Sequence, residues 1–253
     1  VELTAQAIHE ADPTAMVVAA SSALRPLDEY PKDLQWHREL FELGMLDHID
    51  AVSIHPYRFL NSPETVIDAY ESLNELMSEF LSASADSLPI ISSEWGYTSE
   101  DSNGNSVIDK QARFAVRSML MDIALGLPVS VWFNLLDKPD AKNRYGMFNA
   151  DATPKPVADA LQTLTSTLEG FTYVGQVSEF SEGDWALAFE DEEQTALALW
   201  TTNDRHTLNI PAPPDCGQLI NLEGEGLPYC WYGENIKIEL TDEPQYLVFP
   251  RQE

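Results

Sequence analysis

The sequence predicts a parallel α/β sheet followed by a small antiparallel β domain. Three observations carry this. Short apolar runs alternate with amphipathic helical stretches up to about residue 170, the apolar period then switches from that of a helix to that of a strand, and turn residues become dense from Phe171 onward. At 253 residues the chain has the length for one large domain or for two of about 100–150 residues each. The expected division is a βα part over 1–170 and an antiparallel β-sandwich over 171–253.

The elements follow in order. In "VELTAQAIHEADP", Leu3, Ala7, Ile8 and Ala11 share one helical face and Pro13 ends the helix. "AMVVAAS", residues 15–21, is apolar throughout and reads as a buried strand. "LQWHRELFELGMLDHI" is a helix, and "DAVSIHPY" a strand that ends in polar residues. "SPETVIDAYESLNELMSEFLSAS" has Ser62 as N-cap, Pro63 at the first helical position and Glu64 in the first turn. "LPIISSEWGY" is the third strand, "DKQARFAVRSMLMDIAL" a helix closed at Gly126, and "PVSVWFNLLD" the fourth strand. "PKPVADALQTLTSTLEG" is the last long helix, ending at Gly170. Beyond it, "TYVGQVSEF", "DWALAFE", "TALALWTT", "HTLNIPAP", "GQLINLEG", "NIKIELT" and "QYLVFP" make seven short strands separated by Gly, Asp, Asn or Pro, most simply a sandwich.

Composition narrows the function. With 42 acidic and 14 basic residues the formal net charge is −28, a surface that repels nucleic acid and anionic membranes and leaves neutral ligands such as sugars unaffected. No apolar run approaches the roughly 20 residues of a membrane span, and no signal-peptide pattern opens the chain. A secreted or periplasmic location is slightly favoured over a cytoplasmic one. The five histidines are scattered, "HREL" lacks the second histidine of a zinc helix, and no glycine-rich loop follows a strand, so no metal or cofactor is expected. Cys216 and Cys230 are the two cysteines. They are candidates for a disulfide, but fourteen residues of separation fix nothing about geometry.

In parallel sheets the functional groups collect at the carboxyl ends of the strands. Here those ends carry Ser21 and Ser22, then His55, Pro56 and Tyr57, then Glu94 and Trp95, then Trp132, Asn134 and Asp137. Aromatic faces beside hydrogen-bonding groups suit sugar rings, whose C–H faces pack on indoles while their hydroxyls bond polar side chains. Singly each residue has a structural explanation: an ion pair for the glutamate, a satisfied core histidine, a packed tryptophan. Their shared location is what points to a site.

The order of these segments resembles the second half of a retaining glycoside hydrolase of the large (β/α)8-barrel clan, which includes cellulases, mannanases, β-xylosidases and β-galactosidases. "IHEADPTAMVVAAS" matches the entry into the fifth barrel strand, "IDAVSIHPY" the sixth, "LPIISSEWGY" the seventh and "VSVWFNLLD" the eighth. "YGMFNADATPKPVADAL" resembles the approach to the last helix, and "TALALWTT" and "LTDEPQYLVFP" resemble the β-sandwich appended in several of these families. The resemblance implies half of a (β/α)8 barrel, units five to eight, followed by that sandwich, and an oligo- or polysaccharide as partner. It implies Glu94 as the catalytic nucleophile, with His55 and Tyr57 beside it and the tyrosine hydroxyl holding it ionised. Trp132 becomes the floor of the sugar subsite, with Trp95, Asn134 and Asp137 as further substrate contacts. Hydrogen bonds from a phenol and an imidazole favour an ionised carboxylate.

The resemblance also implies a gap. Retaining hydrolysis needs two carboxyl groups about 5–5.5 Å apart, and in this clan the second follows the fourth strand, usually as Asn-Glu. The Asn-Glu of this sequence, Asn74-Glu75, lies mid-helix beside the apolar stripe of Leu73, Leu76 and Met77, so Glu75 reads as solvated face. The first four βα units and the acid/base are then absent. Four βα units cannot close a barrel, so association is expected, as a homodimer through open edges or with a separate first half. Asp137 of a partner, or Glu100 or Asp101 after the third strand, would be the carboxylates able to approach Glu94. The alternative is a non-catalytic carbohydrate-binding or assembly protein that retains the fold.

Overall fold

A computed structural model describes residues 1–81, 88–139, 144–177 and 181–251. The chain divides into two compact units, 1–97 with 121–135 and 98–120 with 136–253.

The first unit holds a four-stranded sheet, β1 (Val18–Ala23), β2 (Ala51–His55), β3 (Ile90–Trp95) and β4 (Ser130–Trp132), in that spatial order and parallel throughout. Sequential order in a parallel sheet requires each connection to cross over through a helix. Helix α1 (Glu2–Ala11) precedes the sheet, and α2 (Pro31–Glu42) and α3 (Val66–Ser78) lie in its first two crossovers. Ala51, Val52 and Ile54 of β2 are fully buried, as expected of a strand covered on both faces.

The elements depart from the sequence expectation at their ends. The helix expected to run to Ile49 stops at Glu42, because Gly44 adopts a left-handed φ of 79°, and a separate 3-10 turn (Met45–His48) follows. Pro63–Thr65 is a 3-10 turn rather than the first turn of α3, and the Ser62 hydroxyl bonds the Glu64 carboxylate instead of capping the helix. The part of that predicted helix beyond Leu81 lies outside the described residues. In α1 the helix forms as predicted, but its buried residue is Ala5, while Leu3 is 80% exposed. The predicted fourth strand, 128–137, is a strand over three residues, and farther along Leu136 makes an isolated bridge to Phe148. After Trp132 the chain leaves the ladder, with Phe133 N–H donating to the Trp95 carbonyl and a cis peptide between Phe133 and Asn134.

The second unit is an antiparallel sandwich with α5 (Pro156–Thr167), and α4 (Ile108–Ala124) starts in it. One sheet has the order β10-β9-β12-β7-β6-β5, comprising β5 (Thr172–Gln176), β6 (Asp184–Glu190), β7 (Gln194–Thr201), β9 (Asp215–Ile220), β10 (Gly226–Trp231) and β12 (Gln245–Pro250). The other pairs β8 (His206–Pro211) with β11 (Asn235–Leu240). Alternate residues fill the space between them: Leu197, Leu199, Leu247 and Phe249 meet Leu208, Ile210, Ile236, Ile238 and Leu240. The architecture is thus four parallel βα units, the content of half an α/β barrel, followed by a β-sandwich.

Among the described residues eight strands stand where seven were expected, and the additional one is β10, "GLPYCW". Proline cannot donate to a ladder, so Pro228 argues against a strand unless that strand is an edge, and β10 is the edge. The last three residues of the first predicted sandwich strand, 178–180, lie outside the described residues. Cys216 and Cys230 are cross-strand neighbours on β9 and β10 and form a disulfide, which ties that edge down.

One buried ion pair organises the loops of this unit. Lys155 Nζ lies 2.6 Å from Asp137 Oδ2, both side chains 1% exposed. The ammonium also donates to Ser99 Oγ and the Arg144 carbonyl, while Asp137 Oδ1 accepts from Gly146 N–H. A side chain at Gly146 would lie 2.4 Å from the Asp137 amide nitrogen, so the approach needs glycine. Removing one partner of such a pair strands a buried charge. Lys155→Met is therefore expected to lower stability by about 3–5 kcal/mol, read as a shift of the urea midpoint, whereas adding Asp137→Asn to it is expected to recover part of the loss.

Reduction of the disulfide frees a closed loop of fourteen residues' separation. In the chain-entropy account that loop is worth about 3 kcal/mol. The Cys216→Ser, Cys230→Ser double variant is expected to show a loss of that order in reversible urea unfolding.

Candidate functional site

Strand β3 decides where the candidate nucleophile goes. Ser92 pairs with Ser130 of β4 and Trp95 pairs with Trp132, so three steps along β3 match two along β4. The extra residue is a β-bulge, the device by which a strand re-aims a side chain. Ser92 and Trp95 are both buried, and the Trp95 indole N–H donates to Ser130 Oγ at 2.8 Å. With the strict alternation broken, Glu94 is half-buried and turned toward the end of the neighbouring strand β2.

There Tyr57 Oη donates to Glu94 Oε1 at 2.6 Å, at the short end of O–H···O hydrogen bonds. Tyr57 is positioned by a tight turn in which its own N–H donates to the His55 carbonyl at 3.0 Å. His55 ends β2 and is half-buried, and among the described residues no hydrogen bond joins its ring to Glu94. The phenol, not the imidazole, supplies the contact expected from the sequence.

A matching irregularity lies in β1. Ala19 pairs with Val52 and Ser22 with Ile54, and the intervening Ala20 and Ser21 take positive φ values of 84° and 33°. Such conformations cost about 1–3 kcal/mol each and gather at functional sites. The bulge lets Ser22 Oγ meet His37 Nε2 of α2 while Ser21 Oγ donates to Ser53 Oγ. Ser53 in turn lies 2.5 Å from Ser93 Oγ. A row of hydroxyls therefore crosses β1, β2 and β3 beside Glu94. Sequence reasoning collected Ser21 but missed Ser53 and Ser93, which read there as ordinary small core residues.

The aromatic residues of the predicted site separate into two roles. Trp95 is 3% exposed and packs edge-on against Trp132, with ring centroids 5.1 Å apart and an interplanar angle of 82°. Trp132 is half-buried, and its indole N–H donates to the Asn134 carbonyl at 3.1 Å. The side-chain oxygen of Asn134 is buried without a hydrogen-bond partner among the described residues. Phe133, which the sequence did not single out, is 39% exposed. Asp137 lies in the other unit, buried on Lys155, and presents no free carboxylate. Glu100 is paired with Arg144 at 2.8 Å, and Asp101 closes its own loop by accepting from Asn103 and Asn105. Glu75 is exposed while Leu73, Leu76 and Met77 are buried, as the helical spacing predicted.

Beneath the site, Asp122 of α4 accepts from Ser130 Oγ at 2.5 Å, and Tyr70 Oη lies 3.4 Å from its other oxygen. Burial pushes the Asp122 carboxyl up to about 7, against the pull of Ser130, Tyr70 and Arg58. Arg58, next in sequence to Tyr57, is 2% exposed, and its guanidinium nitrogens have no hydrogen-bond partner among the described residues. Burial pushes its pKa down, while Tyr97, Tyr70, Asp122 and Asp33 oppose that shift. No group of three or more His, Cys, Asp or Glu able to hold a metal occurs among the described residues.

No protein-family model and no curated protein matches the chain. Solved structures do. A family 39 glycoside hydrolase from Bacteroides cellulosilyticus WH2 superposes with a TM-score of 0.69 at 24% identity, over 83% of this chain and 46% of that one. The fold is that of glycoside hydrolases. A glucosidase from Croceicoccus marinus gives a TM-score of 0.68 at 14% identity over 100% of this chain and 64% of that one. The GH51 α-L-arabinofuranosidase of Thermotoga petrophila RKU-1 gives 0.65 at 13% identity, over 98% and 60%. The chain thus spans less than two thirds of the length of each of these structures. No helix among the described residues is long and apolar enough to cross a membrane.

Asp122 gives the folded state a pH signature. Its folded pKa of about 7 lies above the ordinary carboxylate value of 3.8, so the fold binds the proton more tightly than the unfolded chain does. The stabilisation is complete below about pH 4 and is lost as pH rises through about 7. Melting temperature is expected to fall over that window, and the fall is expected to flatten in Asp122→Asn.

Proposed function

We propose that the chain is a glycosidase-type hydrolase in which Glu94 is the nucleophile of a retaining reaction on β-linked glycosides. The observation that carries the reading is the 2.6 Å hydrogen bond from Tyr57 to Glu94, set at the carboxyl end of a bulged parallel strand in a glycoside hydrolase fold. The phenol orients one carboxylate oxygen, leaving the other to attack the anomeric carbon. The C1–O bond to the leaving group breaks as the Glu94–C1 bond forms, and water then hydrolyses the glycosyl-enzyme with net retention. Trp132 and Asn134 stand beside it as the proposed walls of the sugar subsite, with the buried Trp95 packed behind Trp132 and His55 as a neighbouring polar group.

The second carboxyl group comes, in this reading, from outside the four strands. Among the described residues their carboxyl ends carry Glu94 as the one acid, and Asp137 is committed to Lys155. Strands β1 and β4 are the edges of the sheet, and the β4 region presents Val129, Val131, Phe133 and Leu135, each between 39% and 67% exposed. Further parallel strands, from a second copy or a separate first half, would pair there, bury that row and bring the acid/base. The disulfide between Cys216 and Cys230 supports a location outside the cytoplasm.

A dinitrophenyl glycoside separates the nucleophile from the missing acid, because its leaving group departs without protonation. Incubation with the β-glucoside, the β-xyloside and the β-galactoside is expected to give a covalent adduct on Glu94 with one of them by intact-mass and peptide mass spectrometry. Tyr57→Phe is expected to slow its formation by about 10- to 100-fold, the loss of one charge-assisted contact. Glu94→Gln is expected to abolish it, and an adduct that persists in that variant refutes the assignment. Light scattering is expected to show association that grows with concentration; a monomer at all concentrations removes the second copy from the reading and leaves a separate first half as the source of the strands.

A second reading, a carbohydrate-binding protein without catalysis, is favoured by the single strand-end acid. Sugar binding by calorimetry with no adduct from any of the three glycosides selects it.

A further inference from the structure

The loops that leave β1 and β2 emerge at the same end of the sheet as Glu94, and they hold features that the chemistry at Glu94 does not use. The first, 24–30, leads into α2, and the second, 56–65, leads into α3. Between them lies a cavity of about 490 Å³ whose polar lining includes Asp28, Glu29, Asn61, Ser62, Thr65 and Asp68. Tyr30 follows the lining residue Glu29 and Phe59 stands two residues before Asn61, and their rings, outside the lining itself, lie 6.0 Å apart, tilted by 47°.

Phe59 packs against Tyr30 on one side and leaves much of its surface to solvent. Its ring is 40% exposed, and its backbone takes a φ of 56°, the left-handed region that bulky residues avoid at a cost of about 1–2 kcal/mol. The strain is enforced from both sides. Arg58 before it is buried, and a turn closes over Phe59 and Leu60 through Asn61 N–H donating to the Arg58 carbonyl at 2.9 Å. A chain that merely needed this turn would have placed glycine there.

Tyr30 is fixed as firmly. The Arg25 guanidinium stacks 3.9 Å from its ring centroid, and Arg25 is itself held by two hydrogen bonds from its side chain to Asp33 at 2.9 and 2.7 Å. Asp33 is 9% exposed, and Pro31, directly after Tyr30, starts α2. Both rings are therefore ordered before any ligand arrives, which reduces the entropic cost of binding. The link across the cavity is weak by comparison: Asn61 Nδ2 donates to Glu29 Oε1 at 3.3 Å, near the limit for such a bond. A ligand hydroxyl can displace it.

We propose that these loops form a second sugar-binding subsite, with Phe59 and Tyr30 as the ring platform and Glu29, Asn61 and Asp28 as acceptors and donors for hydroxyl groups. The occupant is a neutral β-linked oligosaccharide, since a chain of net charge −28 repels anionic glycans. The inference rests on the reading of Glu94 as a glycosidase site for its direction, because the two loops leave β1 and β2 at the carboxyl end of the parallel sheet, the end that carries Glu94. It makes the substrate an extended chain rather than a monosaccharide glycoside.

Titration of the intact chain with cellotetraose, xylotetraose and mannotetraose, followed by amide chemical shifts, tests it. One of the three is expected to bind saturably and to shift resonances of residues 28–30 and 59–68. Phe59→Ala and Phe59→Gly are expected to weaken that binding by about tenfold, the worth of one aromatic contact. Phe59→Tyr is expected to retain it. Phe59→Gly relieves the backbone strain, so its melting temperature is expected to stay level or rise while its affinity falls, an outcome that a purely structural Phe59 does not give. Adduct formation from the dinitrophenyl monosaccharide is expected to be unchanged in all three variants. The proposal is overturned if none of the three tetrasaccharides binds the unmodified chain, or if Phe59→Gly and Phe59→Ala bind within twofold of it. Failure of Glu94 to form an adduct leaves these binding measurements standing, so the two readings fall separately.

Discussion

The single extra residue in β3 between Ser92 and Trp95 is the constraint on which the candidate site depends. A regular parallel strand alternates its side chains, and both faces of this sheet demand something different. Trp95 must reach Ser130, and through Ser130 the buried Asp122, while Glu94 must reach Tyr57 in the turn that follows the neighbouring strand β2. The bulge satisfies both. The corresponding bulge in β1 does the same for Ser22, which meets His37, and Ser21, which joins the hydroxyl row of Ser53 and Ser93.

The two units treat buried charge in different ways. Lys155 and Asp137 are a matched pair, each contributing the opposite charge and each further satisfied by neighbouring hydroxyl, carbonyl or amide groups. Asp122 and Arg58 are not in direct contact, and burial moves each of them toward its neutral form. The first arrangement fixes loops over α5. The second lies behind the strand ends and couples the fold to pH near neutrality, which is where a change in buried charge is felt most directly.

Much of this was legible in the residues, and the misses have local causes. Apolar runs and helical stripes located all four parallel strands, and the sandwich strands except β10. The strand expected to be buried at 15–21, however, forms as Val18–Ala23 with no buried residue, since β1, like β4, is an edge of its sheet. The strand "GLPYCW" escaped because a proline rules out a central strand but not an edge, and edge position is a property of the assembled sheet. The helix through Gly44 was read too long because the apolar spacing continues across the glycine, whose left-handed backbone ends α2. Glu94, Tyr57, His55, Trp95 and Trp132 were found from their place at strand ends. Ser53, Ser93 and Phe133 were not, since small and apolar residues carry no chemical signal until their neighbours are known.

The sequence by itself determined the order of elements, the switch from α/β to antiparallel β, and the presence of a glutamate and a tyrosine on adjacent strand ends, because these follow from periodicity and turn chemistry along the chain. Only the tertiary structure decided that the phenol rather than the imidazole bonds Glu94, that Asp137 belongs to Lys155, that Cys216 and Cys230 are joined, and that Phe59 stands exposed in a strained turn. Each of these depends on a distance between residues far apart in sequence or on a backbone angle set by burial on both sides, and neither is encoded in local pattern.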